Sequence, residues 1–127
     1  AEDMLAKLVE RGYQLYGATN GVTAIQQGRL KQSAITPYFK EIFISEQLGT
    51  QKPEVAFYDK IGNLIPEFSK EQALMIGDSL TADIAGGNAA GIDTVWYNPN
   101  HKENTSPAVP TYEVDSYEAL LALLRKD

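Results

Sequence analysis

The sequence predicts an α/β fold built on a parallel sheet, and three observations carry that expectation. Short apolar runs suited to strands alternate with stretches of helical periodicity along the chain. Several of the strand-like runs end in small or polar residues that lead straight into helical segments, as at Thr19-Asn20-Gly21 and Gly77-Asp78-Ser79. The chain has 127 residues, 43% hydrophobic and 22% charged, enough for one globular domain with a real core. We therefore expect a single domain over residues 1–127, with no internal repeat, linker or low-complexity tract.

In AEDMLAKLVERGY, Met4, Leu5, Leu8 and Val9 recur at helical spacing and Gly12 supplies a stop. Tyr13 to Thr19 reads as a strand, and Val22 to Ser33 as a helix leading into Thr36-Pro37-Tyr38-Phe39. EIFIS, Glu41 to Ser45, is the next strand, and EQLGTQKP is a loop. Pro53 suits the first position of a helix running to about Gly62. After an irregular stretch from Leu64 to Lys70, QALMIGD (Gln72 to Asp78) is the clearest candidate for a buried strand. Thr81 to Ala90 reads as a helix rich in small residues and stopped by Gly91. DTVWYN is a strand, NPNHKENTSPAVP a polar surface loop, TYEVD a short final strand, and Tyr117 to Arg125 a closing helix.

Composition excludes several functions. The formal charge is −6, from 17 acids against 11 bases, and no basic run exceeds two residues. A nucleic-acid or anionic-membrane surface is therefore not expected, although a small phosphorylated ligand needs only one or two local bases. Without cysteine there is no disulfide framework, thiolate nucleophile or thiolate zinc site, which suits a reducing, cytoplasmic setting. No apolar run is long enough to span a bilayer, and the opening helix pattern is not that of a signal peptide. The chain lacks an initiator Met and begins inside a helical pattern, as expected of a piece cut from something longer.

In open parallel sheets, ligands bind outside the carboxyl ends of the strands. Three such junctions carry useful chemistry here. Thr19-Asn20-Gly21 offers a hydroxyl, an amide and backbone N–H groups ahead of a helix, either a phosphate cradle or an ordinary turn with a cap. Lys52 precedes a helix start, where an ammonium opposes the dipole by roughly 0.3–1 kcal/mol. An anion nearby would explain that placement, and solvation of a surface lysine would relieve it. In GDSLTAD, Asp78 ends a strand and Asp83 falls a turn later, with Gly77 leaving room and Ser79 able to cap. Helix capping needs only one acid, whereas Mg²⁺ takes one or two carboxylates together with waters and a phosphate oxygen. His101, the only histidine, falls in the polar loop and reads as solvated. No strand-elbow serine suggests a Ser–His–Asp hydrolase.

Taken together, the junctions resemble the motifs of the haloacid dehalogenase-like hydrolase superfamily, whose members are mostly Mg²⁺-dependent phosphatases. LYGATNG, with Thr19, is similar to the family's second motif; Lys52 in QKP to its third; and GDSLTAD, with Asp78 and Asp83, to its fourth. TVWYNPNHKEN resembles the loop after the fifth core strand in the pyrimidine 5′-nucleotidase branch. The resemblance implies a three-layer, Rossmann-like parallel sheet. It implies that Thr19 and Lys52 bind and neutralise a phosphoryl group, with Asn20 and Gly21 assisting. Asp78 would be a direct Mg²⁺ ligand, and Asp83 would ligate the metal or orient its waters.

One departure is large: the family's DxDxT motif has no counterpart, and no Asp-x-Asp occurs anywhere in the chain. We therefore expect the C-terminal portion of such an enzyme, without the nucleophile, the cap domain and the central first strand. The strands ending at Thr19 and Asp78 would then pair directly, take a strand from another chain, or leave part of the core disordered. The expected activity is hydrolysis of a nucleoside 5′-monophosphate through an aspartyl-phosphate whose nucleophile lies outside this chain, so the chain alone is expected to be inactive. The alternative is a non-catalytic phosphate- or Mg²⁺-binding fragment, or one that self-associates through an exposed sheet edge. A receiver-like signalling domain fits poorly, since its paired acids belong near the domain start and its lysine comes late.

Overall fold

In a computed structural model of the chain, residues 2–19, 38–52, 54–66 and 68–124 are described. The expected helix Val22 to Ser33, the Thr36-Pro37 pair, Asn20, Gly21, Pro53 and Arg125 lie outside the described residues. Along the chain the elements are α1 (Glu2–Glu10), β1 (Tyr16–Thr19), β2 (Glu41–Ile44), α2 (Ser45–Leu48), α3 (Val55–Leu64), β3 (Leu74–Gly77), α4 (Ala85–Ala90), β4 (Asp93–Tyr97), β5 (Tyr112–Val114) and α5 (Tyr117–Leu123). A 3₁₀ turn covers Lys70–Gln72 and a π turn covers Leu80–Ile84. The fold is mixed α/β with parallel strands throughout, as the alternating pattern predicts. The elements form two compact units, one from the chain up to Gly49 and from Tyr117 onward, the other Thr50–Ser116.

In the first unit, α1 buries Leu5 and Leu8, and it packs against α5, where Leu120 is buried. Arg11 Nη1 donates to the Leu121 carbonyl at 2.6 Å and the Tyr13 hydroxyl to the Leu124 carbonyl at 2.9 Å. These bonds serve carbonyls in the last turn of α5, where helical partners run out. Strands β1 and β2 run in register from Tyr16 opposite Glu41 to Thr19 opposite Ile44, and the rings of Tyr16 and Phe43 stack 6.1 Å apart. β1 starts later than the expected Tyr13 because the Tyr13 N–H closes the end of α1 on the Leu8 carbonyl. Ser45, expected to end a strand, instead opens α2.

In the second unit the strand order is β3-β4-β5. Helix α3 starts at Val55, since Glu54 is still extended (φ −62, ψ 133), and it lies against α4. The small residues of α4 have a packing reason. A Cβ on Gly86 would strike the Tyr58 ring, and one on Gly87 would strike Thr94 of β4. Gly91 ends α4 in the left-handed region (φ 77), as its position after the helix predicts. β3 is less buried than its apolar sequence suggests, with Ile76 37% exposed. Among the described residues it pairs only with β4, and direct pairing of β1 with β3 is not found: they belong to separate sheets.

The polar loop after β4 is stitched in place. Buried Asn98 donates through Nδ2 to the Lys102 carbonyl (2.9 Å) and to Glu113 Oε2 (3.1 Å), while its Oδ1 accepts from Lys102 N–H (3.0 Å). Asn88 brackets Val109, donating to its carbonyl at 2.9 Å and accepting from its N–H at 2.8 Å. Thr94 and Thr111 exchange two further bonds, at 3.0 and 3.1 Å. His101 lies on this loop, exposed as expected, with Nε2 3.3 Å from the Asp115 carboxylate. No helix among the described residues is long and apolar enough to cross a membrane.

Candidate metal and phosphate site

β3 carries the acidic segment to its carboxyl end, where Gly77 is the last strand residue and Asp78 follows. A Cβ on Gly77 would collide with the Asp83 carboxylate, so this acid lies against the strand end only because Gly77 has no side chain. Ser79 caps the next turn as predicted, its hydroxyl accepting from Ala82 N–H at 3.2 Å. The turn itself differs from the expected α-helix. The Ser79 carbonyl accepts from both Asp83 N–H (2.9 Å) and Ile84 N–H (3.1 Å), and this wider π register occupies the first half of the expected helix.

Asp83 is buried, and Lys52 meets it. Lys52 Nζ lies 2.6 Å from Asp83 Oδ1, with the two side chains only 12% and 9% exposed, while Asp83 Oδ2 accepts from Ser79 N–H at 3.4 Å. The anion that the position of Lys52 called for is thus supplied within the chain. Tyr58, on α3, secures the same turn, donating to the carbonyls of Ala82 (3.3 Å) and Asp83 (3.5 Å). Burial first, and the negative charge of Asp83 second, hold the Tyr58 phenol well above its ordinary value of 10.0.

That shift makes a prediction. Below the ordinary value of 10.0 the phenol is protonated whether the chain is folded or not. Above it the unfolded chain loses the proton first, so stability falls as pH rises from there toward the raised folded value. Urea unfolding at neutral pH and at about pH 11 will show a smaller alkaline loss in Tyr58→Phe than in wild type.

Asp78 contrasts with Asp83. It is exposed, and among the described residues its carboxylate has no hydrogen bond or ion pair. Its backbone is held: the carbonyl accepts from Trp96 Nε1 at 3.2 Å. Lys52 and Asp83 offset each other's formal charge, and the exposed Asp78 carboxylate at the end of β3 is the acid open to a cation. The described residues hold no group of three or more His, Cys, Asp or Glu able to bind a metal by themselves. The donor set fits Mg²⁺ nonetheless, because that ion uses one or two carboxylates and keeps several waters. It does not fit a soft metal, since the chain has no cysteine and its one histidine is in the outer loop.

Thr19 is the last residue of β1, in the first unit. Of the residues singled out from the sequence, the structure joins Lys52 to Asp83 and presents Asp78 on the same unit. Asn20 and Gly21 are outside the described residues.

A family model described as haloacid dehalogenase-like hydrolase matches residues 1–97, more than half of the chain. The chain belongs to this family. The haloacid dehalogenase-like assignment accords with individual relatives. The chain is 65% identical to the pyrimidine 5′-nucleotidase PynA of Streptococcus pneumoniae over all of its own length and 54% of that protein. It is 37% identical to the pyrimidine 5′-nucleotidase YjjG of Escherichia coli, over 85% of this chain and 48% of that one. The crystal structure of the HAD-hydrolase YfnB of Bacillus subtilis, bound to magnesium, superposes with a TM-score of 0.91 at 45% identity, covering 98% of this chain and 54% of that one. The chain thus spans about half the length of the curated relatives it matches.

Sequence reasoning missed Tyr58 and Trp96. Both sit in apolar stretches (AFYDK and DTVWYN) where an aromatic reads as core, and both are indeed buried. The available signal was general: a buried Tyr or Trp needs a partner for its polar atom.

Proposed function

We propose that the chain supplies the metal-binding and phosphate-neutralising part of a Mg²⁺-dependent phosphoric monoester hydrolase acting on pyrimidine nucleoside 5′-monophosphates. The observation that carries this reading is the open Asp78 carboxylate at the end of β3, on the same unit as the buried Lys52–Asp83 pair. The 5′-nucleotidases among the relatives support the substrate class, and magnesium in the YfnB crystal supports the metal.

In this reading Asp78 holds the metal, which supplies charge neutralisation at the phosphoryl oxygens when bound. Asp83 keeps Lys52 aimed and orients water. Lys52 turns part of its charge to a phosphoryl oxygen. The aspartyl-phosphate nucleophile comes from outside these 127 residues, which contain no Asp-x-Asp. The chain alone therefore turns nothing over.

The test is phosphate release from a panel of nucleoside monophosphates, comparing this chain with the full product of its gene, each with Mg²⁺ and with a chelator. The reading expects turnover only from the longer protein, only with metal, and fastest on pyrimidine substrates. Metal-independent turnover by this chain would overturn it. A second reading, self-association through the β3 edge, draws on the single partner of β3 among the described residues and the exposure of Ile76. Sedimentation that changes with concentration would support it, and a monomer at all concentrations would remove it.

A further inference from the structure

We propose that Trp96 is the positioning residue of Asp78, a role that rests on reading Asp78 as the metal ligand. Asp78 is exposed and its carboxylate has no partner among the described residues, so its direction depends on how the backbone beneath it is fixed. The Trp96 indole, by donating to the Asp78 carbonyl at 3.2 Å, restrains the peptide that sets the direction of the acid. Trp96 lies opposite Gly77 in the β3–β4 register, so the donor is built into the neighbouring strand.

The indole cannot readily move away. Its ring is buried in a cluster with Ile84 and Ala108, with Leu80 and Ala85 packed against it. Leu80 and Ile84 bound the π turn that carries Asp83, while Ala108 belongs to the stitched loop after β4. One ring therefore braces the acidic turn, the loop and the metal-ligand backbone together. An indole N–H is a donor only, so its sole function in this geometry is to hold an acceptor. Fixing a ligand before metal arrives removes an ordering cost that binding would otherwise bear. Outer partners of metal ligands commonly change affinity roughly 10–100-fold.

The chain has one tryptophan, so its indole N–H gives a single nuclear magnetic resonance signal in the whole protein. Titrating Mg²⁺ into the ¹⁵N-labelled chain should move that signal saturably, with the midpoint found by calorimetry, and Asp78→Asn should abolish the movement. Trp96→Phe, which keeps a ring but no donor, should weaken Mg²⁺ binding about tenfold. A merely structural role would lower the melting temperature and leave Mg²⁺ affinity unchanged, and that result overturns the proposal. So does a wild-type chain that binds Mg²⁺ through Asp78 with an unmoved indole signal, a comparison that needs no variant of Trp96. In both cases the metal reading survives. A wild type that takes up no Mg²⁺ removes the metal reading and this role with it.

Discussion

Asp83→Ala lowers the unfolding free energy by about 3–5 kcal/mol, because it removes the carboxylate held 2.6 Å from a buried ammonium. Lys52 and Asp83 are 12% and 9% exposed and 2.6 Å apart, so little water is at hand to replace the lost carboxylate. A domain of this size is commonly stable by about 5–15 kcal/mol, which makes the loss a large share of the total. Urea unfolding followed by the fluorescence of the single tryptophan measures it. The mechanism is separable from simple packing loss. In a double variant, Lys52→Met with Asp83→Leu, most of the stability returns, since similar apolar volume replaces the pair with no stranded charge. If Asp83→Ala unfolds at the wild-type urea concentration, the pair is not an internal support.

Gly77→Ala is the second large effect expected. Its methyl group would fall on the Asp83 carboxylate, so the acid or the end of β3 must shift. Overpacking of this kind costs about 1–3 kcal/mol. It also disturbs the Lys52 contact at 2.6 Å and, through the next residue, the direction of Asp78. Reduced stability together with weakened Mg²⁺ binding is the predicted pair of outcomes, read by urea unfolding and calorimetry on the same preparation. Wild-type behaviour in both would show that the strand end has room the geometry denies.

These residues also show how far the sequence could be read. The spacing of Asp78 and Asp83 behind an apolar run, with a glycine before and a serine after, announced both the strand end and the cap. Ser79 caps as expected, and Gly91 stops the helix as expected. The register of the turn between them was not legible. An α and a π turn share the same residues, and Ile84, the last residue of the turn, is buried in one cluster with Trp96, a tertiary contact that no local pattern shows. The Lys52–Asp83 bond spans 31 residues, so no local pattern encodes it. Each residue was recognisable as charged and placed at a helix start, but their direct pairing is a tertiary fact. β3 read as a buried strand because Leu74, Met75 and Ile76 are apolar, yet burial depends on both neighbours and only β4 is present among the described residues. The donor to Asp78 was hidden for a different reason: a tryptophan in a strand carries no sign of where its N–H points.

The central claim is that Asp78 is an open cation ligand at the end of β3. Calorimetric titration of Mg²⁺ into the wild-type chain and into Asp78→Asn tests it most directly. The account predicts saturable binding near one ion per chain in wild type, weakened at least about tenfold in the variant, with urea stability unchanged because the side chain is exposed and unpartnered among the described residues. Equal Mg²⁺ affinity in the two proteins, or no binding in either, would contradict it.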